Sequence, residues 1–258
     1  MSISPEKIKE NYDQFKEYIN QYIDNPRRDQ LLGYYNQIEE ILLFAPASSR
    51  EAYHNAFPGG YLDHVNRVVK ASLDIYDLWN SYRVIDSFTK EELVFAAINH
   101  DLGKLGVGDK PSYVPNDSDW HVKNQGQIYK TNPELPFFTV PDRSLFVLQQ
   151  AGIKYSENEY LGIKLHDGLF DEVNKPYYIS FNVESRLRTS LPLILHQADL
   201  LASRVEWENQ WIGKLGKKQE PKSNNYKSNN YSSKGPTQQA YKSLAGSKPG
   251  LMEAFKNI

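Results

Sequence analysis

The chain has 258 residues, 40% of them hydrophobic and 24% charged, and it contains no cysteine. That length supports one sizeable core, and the missing cysteines exclude disulfides, thiolate metal sites and a cysteine nucleophile. The net charge of −2 is unevenly divided: from Lys214 onward nine lysines stand against two glutamates, which is +7, so the body through Gly213 carries −9. An acidic body argues against general coating of nucleic acid, whereas the tail can meet acidic partners. No run approaches the roughly 18–20 apolar residues of a membrane span, and "MSISPEKIKENYDQ" is too charged for a signal peptide. The expectation is a soluble, cytoplasmic protein with no membrane partner.

Residues 1–43 read as two helices packing on the core. The first starts at a Ser2 or Ser4 cap with Pro5 in its first turn, and "DNPRRD" separates it from the second. After the turn "FPGG" at 57–60 comes a helix with two countable faces. Asp63, Arg67, Lys70, Asp74 and Asp77 form a solvated charged stripe, while His64, Val68, Ala71 and Ile75 point inward. "TKEE" has capping-box spacing at Thr89 and Glu92. Beyond it, Leu93, Ala96, Ala97 and His100 share one face and Val94, Ile98 and Asp101 the next, until Gly103 ends the helix.

Residues 105–117 read as loop, "SDWHVKNQGQIYK" as a short helix capped by Ser118 or Asp119, "PELPFFTVPDR" as loop, and "RSLFVLQQAGI" as helix up to Gly152. "SENEYLGIKLHDG" repeats the capping-box spacing with Ser156 and Glu159 and stops at Gly168. Residues 170–186 suggest loop or a small hairpin. "LPLILHQADLLASRVEWENQW" is the last strong helix, with Pro192 in its first turn and His196 and Asp199 on one face. From 214 to 258 a Lys, Asn, Ser and Tyr composition is that of a disordered basic tail. Strands are scarce, so the body, 44–213 with the N-terminal helices, reads as all-α.

The six histidines are His54, His64, His100, His121, His166 and His196. Several line or end apolar helix faces, as do Asp101 and Asp199, where an unpaired imidazole or carboxylate is costly to bury. A shared cation satisfies them together, and an ion off the end of a helix can be reached by the adjacent His100 and Asp101. Nitrogen and oxygen ligands without thiolate suit Mn, Fe, Zn, Ni or Mg.

A histidine on one helix, "HDLGK" on the next and an aspartate in "HQADLLA" resemble the HD-domain superfamily of metal-dependent phosphohydrolases. The resemblance covers roughly residues 50–210 and implies an all-α helical bundle with metal held by His64, His100, Asp101 and Asp199. Many members add two histidines for a second metal, for which this chain offers His121 and His166 in the right order, with Asp101 bridging two divalent ions. "HNAFPGGYLDHV" resembles more narrowly the histidine-glycine-glycine-histidine segment of HD exoribonucleases and relaxase-linked HD domains. That likeness places His54 near the site as a substrate contact or proton donor. The nucleic-acid-binding barrel of those exoribonucleases has no room in residues 1–43, which weakens a processive exonuclease reading.

Two ions about 3.5–4 Å apart can activate a water and polarise a phosphoryl oxygen. The leading expectation is therefore a phosphohydrolase or phosphodiesterase acting on a nucleotide or short nucleic acid. Asp101, Lys104 and His54 are the catalytic candidates, and Lys104, Arg188 and His196 the substrate-binding ones, with Arg143 and Arg186 as weaker phosphate contacts. His196 is alternatively a residue that orients a ligand. Two further readings stand beside it: the di-iron oxygenase chemistry of a minority of HD proteins, and a non-catalytic HD module recruited through its tail. In that tail, lysines between Tyr226, Tyr231 and Tyr241 suit single-stranded nucleic acid. Its end, Leu251, Met252 and Phe255, resembles the terminal peptides that dock proteins on replication clamps.

Overall fold

The computed structural model describes residues 3–82, 85–180 and 182–215. Tyr226, Tyr231, Tyr241 and the Leu251–Phe255 docking motif lie outside the described residues. The described chain is mostly helical, as the pattern of apolar spacings predicts, and none of its helices is long and apolar enough to cross a membrane.

Helix α1, Pro5–Tyr22, is capped by the Ser4 hydroxyl, which accepts from the Lys7 amide at 3.2 Å. Its Ile8, Tyr12, Phe15 and Ile19 recur at i, i+4, i+7 and i+11 and are buried against helices α4, Gly60–Tyr82, and α5, Lys90–Asn99. The second expected helix is instead two, α2 (Arg27–Gln37) and α3 (Glu39–Phe44), because Ile38 leaves helical geometry at φ −107°, ψ 20°. In α4, His64 and Val68 are fully buried as expected. The charged stripe is solvated only from Lys70 onward; Asp63 and Arg67 turn into a buried polar network described below.

The segment 105–131 departs from the loop and helix expected of it. Its short helix α6, Asp119–Gln125, ends at Gly126 with φ +60°, and strand β2, Tyr129–Thr131, then pairs antiparallel with β1, Tyr113–Pro115. Helix α7, Val140–Gln150, begins three residues earlier than the apolar pattern suggests, because Thr139 caps it and Pro141 sits in its first turn. Helix α8, Glu157–Leu165, has the expected capping box. The segment 170–186 forms single helical turns, among them α9, Lys175–Tyr178, and no hairpin. Asp171 and Asn182 accept from the amides of Val173 and Glu184, an Asx geometry that favours such turns. Helix α10, Leu191–Leu215, runs into the first residues expected as tail and packs along α4 and α8.

One clamp ties the N-terminal helices to this bundle. Arg27 reaches Glu91 at the start of α5 (2.5 Å) and Glu159 at the start of α8 (2.7 Å), with its guanidinium over the Phe95 ring. Glu159 is fully buried, and burial lifts its carboxyl to about 7 although Arg27 pulls the other way. A folded-state value raised above the unfolded one means that stability falls as pH climbs through that range. Removing Arg27 leaves the charged carboxylate buried and unpaired. Arg27→Met should therefore cost about 3 kcal/mol at pH 8 and less at pH 5, where Glu159 holds its proton. Urea unfolding of both chains at the two pH values checks this, and a pH-independent loss contradicts it.

Candidate metal centre

Helix α5 ends at Asn99, and His100 is its C-cap. Asp101 then leaves helical geometry at φ −102°, ψ 8°, and a 3-10 turn follows over Leu102–Leu105. This answers how adjacent residues share a partner: the bend brings Asp101 Oδ2 to 3.4 Å from His100 Nε2. Gly103 does not end the helix through a positive φ. It lets α7 approach, since a Cβ there would lie 2.3 Å from the Val140 carbonyl. The Ser144 hydroxyl accepts from the Gly103 amide at 2.8 Å and lies 3.0 Å from the His100 carbonyl, fixing the turn.

Around Asp101 the buried side chains of four helices converge. His64 Nε2, on α4, is 3.5 Å from Asp101 Oδ2 and 3.2 Å from Asp199 Oδ1, on α10. His166, the C-cap of α8, has its Nε2 3.7 Å from the other Asp101 oxygen. The rings of His54, His64, His100 and His166 form a continuous file with centroids 4.5, 5.6 and 4.8 Å apart.

The tautomers are fixed by what each Nδ1 meets. His100 Nδ1 lies 2.7 Å from the Ala97 carbonyl, and His166 Nδ1 2.8 Å from the Ile163 carbonyl. A carbonyl only accepts, so both Nδ1 atoms carry the proton and both Nε2 lone pairs face the cluster when the rings are neutral. His64 Nδ1 lies 3.2 Å from both oxygens of Glu206, a carboxylate–imidazole pair of the kind that orients metal ligands. His64 Nε2 and His100 Nε2 are buried without a hydrogen bond.

These residues fit a cation. Ligands about 2.0–2.2 Å from an ion lie about 3.0–3.4 Å from one another in octahedral or tetrahedral geometry. The observed separations of 3.2–3.7 Å are close to such polyhedron edges. Two overlapping groups, His64–His100–Asp101 and His100–His166–Asp199, could each hold a metal ion. Both α5 and α8 also direct their C-terminal, negative dipole ends at the cluster, which favours positive charge there.

Electrostatics agree. Burial opposes a charged ring at His64, but Glu206 and Asp199 prevail and raise it to about 10. Burial likewise opposes charge on Asp199 and Asp101, yet His64 draws the first well below the carboxylate range, and Lys104 with His100 the second. Glu206 is pulled to about 2 against its burial by His64 and His54.

The cluster floors a cleft of about 580 Å³ whose walls include His54, Lys104, Val140, Phe170, His196 and Leu200. Lys104 reaches it, but its ammonium is held 2.6 Å from Asp101 Oδ2, because the 3-10 turn stacks residues i and i+3. His54 Nδ1 lies 2.9 Å from Glu206. Its loop is held by Asn55, at φ +47°, whose carbonyl Gly60 lets approach: a Cβ on Gly60 would lie 2.1 Å from it. His196 donates its Nδ1–H to the His166 carbonyl at 2.8 Å.

Four expected residues are not brought to the cluster. His121 sits on α6, its Nδ1 2.7 Å from the Ser118 hydroxyl and its ring against Trp120. Its place in the chain order matches the resemblance, but α6 is held beside the β1–β2 hairpin, and His121 joins none of the metal-competent groups among the described residues. Arg186 and Arg188 are exposed and do not line the cleft. Arg143 is buried beneath the hairpin, donating to the Ser112 hydroxyl (2.6 Å) and the Pro136 carbonyl (2.7 Å). Conversely, sequence reasoning missed Glu206. It lies seven residues after Asp199, two turns along the same face of α10, and that spacing was its signal.

Glu206 accepts from His64, His54 and Arg67 Nε, the last at 3.0 Å. Glu206→Gln keeps the shape but turns an amide against one of these donors. It should weaken Mn²⁺ binding by about 10–100-fold, read by titration calorimetry on folded protein. Unchanged affinity would show that His64 is oriented by something else.

Comparison of the chain with protein-family models, curated proteins and solved structures finds no match.

Proposed function

We propose that this chain is an HD-type, metal-dependent phosphohydrolase or phosphodiesterase with two divalent ions, acting on a phosphoester of a nucleotide or short nucleic acid. The observation that carries the reading is Asp101: a buried carboxylate whose Oδ2 faces His64 and His100 while its Oδ1 faces His166. One carboxylate with each oxygen turned to a different imidazole suits a bridge between two ions. Bound there, Mn²⁺ or a comparable ion supplies Lewis acidity to a phosphoryl oxygen and lowers the pKa of a water.

The side chains then divide the remaining work. His64, His100 and Asp199 hold the first ion, and Glu206 fixes the His64 ring. His54 gives its Nδ1 to Glu206, which leaves Nε2 for the cleft, where it can protonate a departing oxygen. Lys104 stays charged, since Asp101 raises it despite its burial, and it offsets the carboxylates that would repel a phosphate. Val140, Phe170 and Leu200 give the cleft apolar wall for the rest of the substrate, and its volume suits a nucleotide-sized ligand.

The test is a Mn²⁺-supplemented panel of nucleoside mono- and triphosphates, cyclic and linear dinucleotides and short single-stranded oligonucleotides. Turnover of one class is expected, reduced about 10³-fold or more in Asp101→Ala. Silence of metal-loaded wild-type protein across the panel, with dioxygen consumed by the iron-loaded form, would replace hydrolysis with oxidative chemistry.

A further inference from the structure

Helices α5 and α8 are built alike. Each opens with a capping box, Thr89/Glu92 and Ser156/Glu159. Each ends in a histidine C-cap whose Nδ1–H returns to the carbonyl three residues back, Ala97 and Ile163. Each continues with an aspartate that starts a 3-10 turn, over Leu102–Leu105 and Gly168–Phe170. Each histidine carbonyl is held by a side chain from a neighbouring helix: His100 by Ser144, His166 by His196. The second turn is as tightly set as the first, because Gly168 at φ +57° lies on the His196 ring, where a Cβ would come within 2.3 Å. The two turns face one another, with their imidazoles 4.8 Å apart.

In the first turn Asp101 belongs to the metal centre. Its counterpart, Asp167, also lines the cleft, and its Oδ1 lies 3.7 Å from His166 Nε2, the same distance as Asp101 Oδ1. His166 is 2% exposed, and its Nε2 makes no hydrogen bond among the described residues. No lysine, arginine or hydrogen-bond donor of the described residues engages the Asp167 carboxylate. A buried lone pair with a carboxylate oxygen on either side, one of them unclaimed, is a set of donors for a hard or borderline divalent cation.

We infer that Asp167 is a metal ligand: His166 and Asp167, with the Oδ1 of Asp101 between the two sites, hold the second ion. Each ion then has its own His-Asp dipeptide, and His121 has no part in binding. This rests on the two-ion reading above and goes beyond it in naming the ligand. The half-exposed Asp167 side chain turns toward His166 as the ion enters.

Wild type, Asp167→Asn and His121→Ala are loaded with Mn²⁺, desalted, and compared by elemental analysis and electron paramagnetic resonance. Wild type and His121→Ala should hold two exchange-coupled ions per chain. Asp167→Asn should hold one, with the hyperfine pattern of an isolated ion, and its affinity for the second should fall about 100-fold. Circular dichroism shows whether each variant is folded, and Asp167→Glu, which keeps a carboxylate, should recover the second ion. Two coupled ions in Asp167→Asn at unchanged affinity, or loss of one in His121→Ala, overturns the assignment. A single ion in wild type overturns it too, while leaving the first site standing. No ion in wild type would instead sink the metal centre and the proposed function with it.

Discussion

The centre of this molecule is organised by the cost of burying carboxylates. Asp101, Asp199 and Glu206 all sit within the bundle, where each bare charge would cost several kcal/mol. Positive charge or strong donors must come to them, and the fold is arranged so that they do. Arg67, His54 and His64 converge on Glu206, Lys104 folds back on Asp101, and His64 stands between Glu206 and Asp199. The apolar core of α1, α4, α5, α8 and α10 surrounds this network and keeps it largely dry. Low polarity strengthens each attraction and also makes an unanswered group expensive.

That constraint explains details that are otherwise arbitrary. Tight approaches at Gly60, Gly103 and Gly168 set three turns, and each turn delivers an imidazole or carboxylate to the cluster. The polar groups come from helix ends, where backbone geometry changes within a residue, and from the inner faces of α4 and α10. Arg27 anchors the far ends of α5 and α8, so the same two helices are fixed at both termini.

Much of this was legible in the sequence. Capping boxes at Thr89 and Ser156 announced α5 and α8, because reciprocal side-chain and backbone bonds need a fixed spacing. Helical periodicity turned His64 inward, and the resemblance carried by "HDLGK" and "HQADLLA" singled out His100, Asp101 and Asp199. The misses share a cause: they depend on tertiary placement. His121 had the right order along the chain, yet nothing local tells that α6 is held beside a hairpin. That hairpin itself is three residues per strand, too short for an alternating pattern to show. Arg67 read as part of a solvated stripe because its partner, Glu206, lies 139 residues away. Glu206 was visible in principle through its seven-residue spacing from Asp199, but in "RVEWENQW" it stands among other polar residues, where helix ends are commonly solvated.

The fixed imidazole tautomers have one further consequence. His100 and His166 are oriented by carbonyls of their own helices, and His64 by a carboxylate already locked to Arg67. The nitrogen lone pairs are therefore in position before any ion arrives. Uptake requires loss of protons and rotation of a few side chains, not assembly of the bundle. An ion in this centre is a guest of a finished fold, unlike the metal of a zinc finger, which is a partner in folding. Chelation would then leave a folded, reloadable protein, in which different metals can be exchanged in turn against one unchanging scaffold.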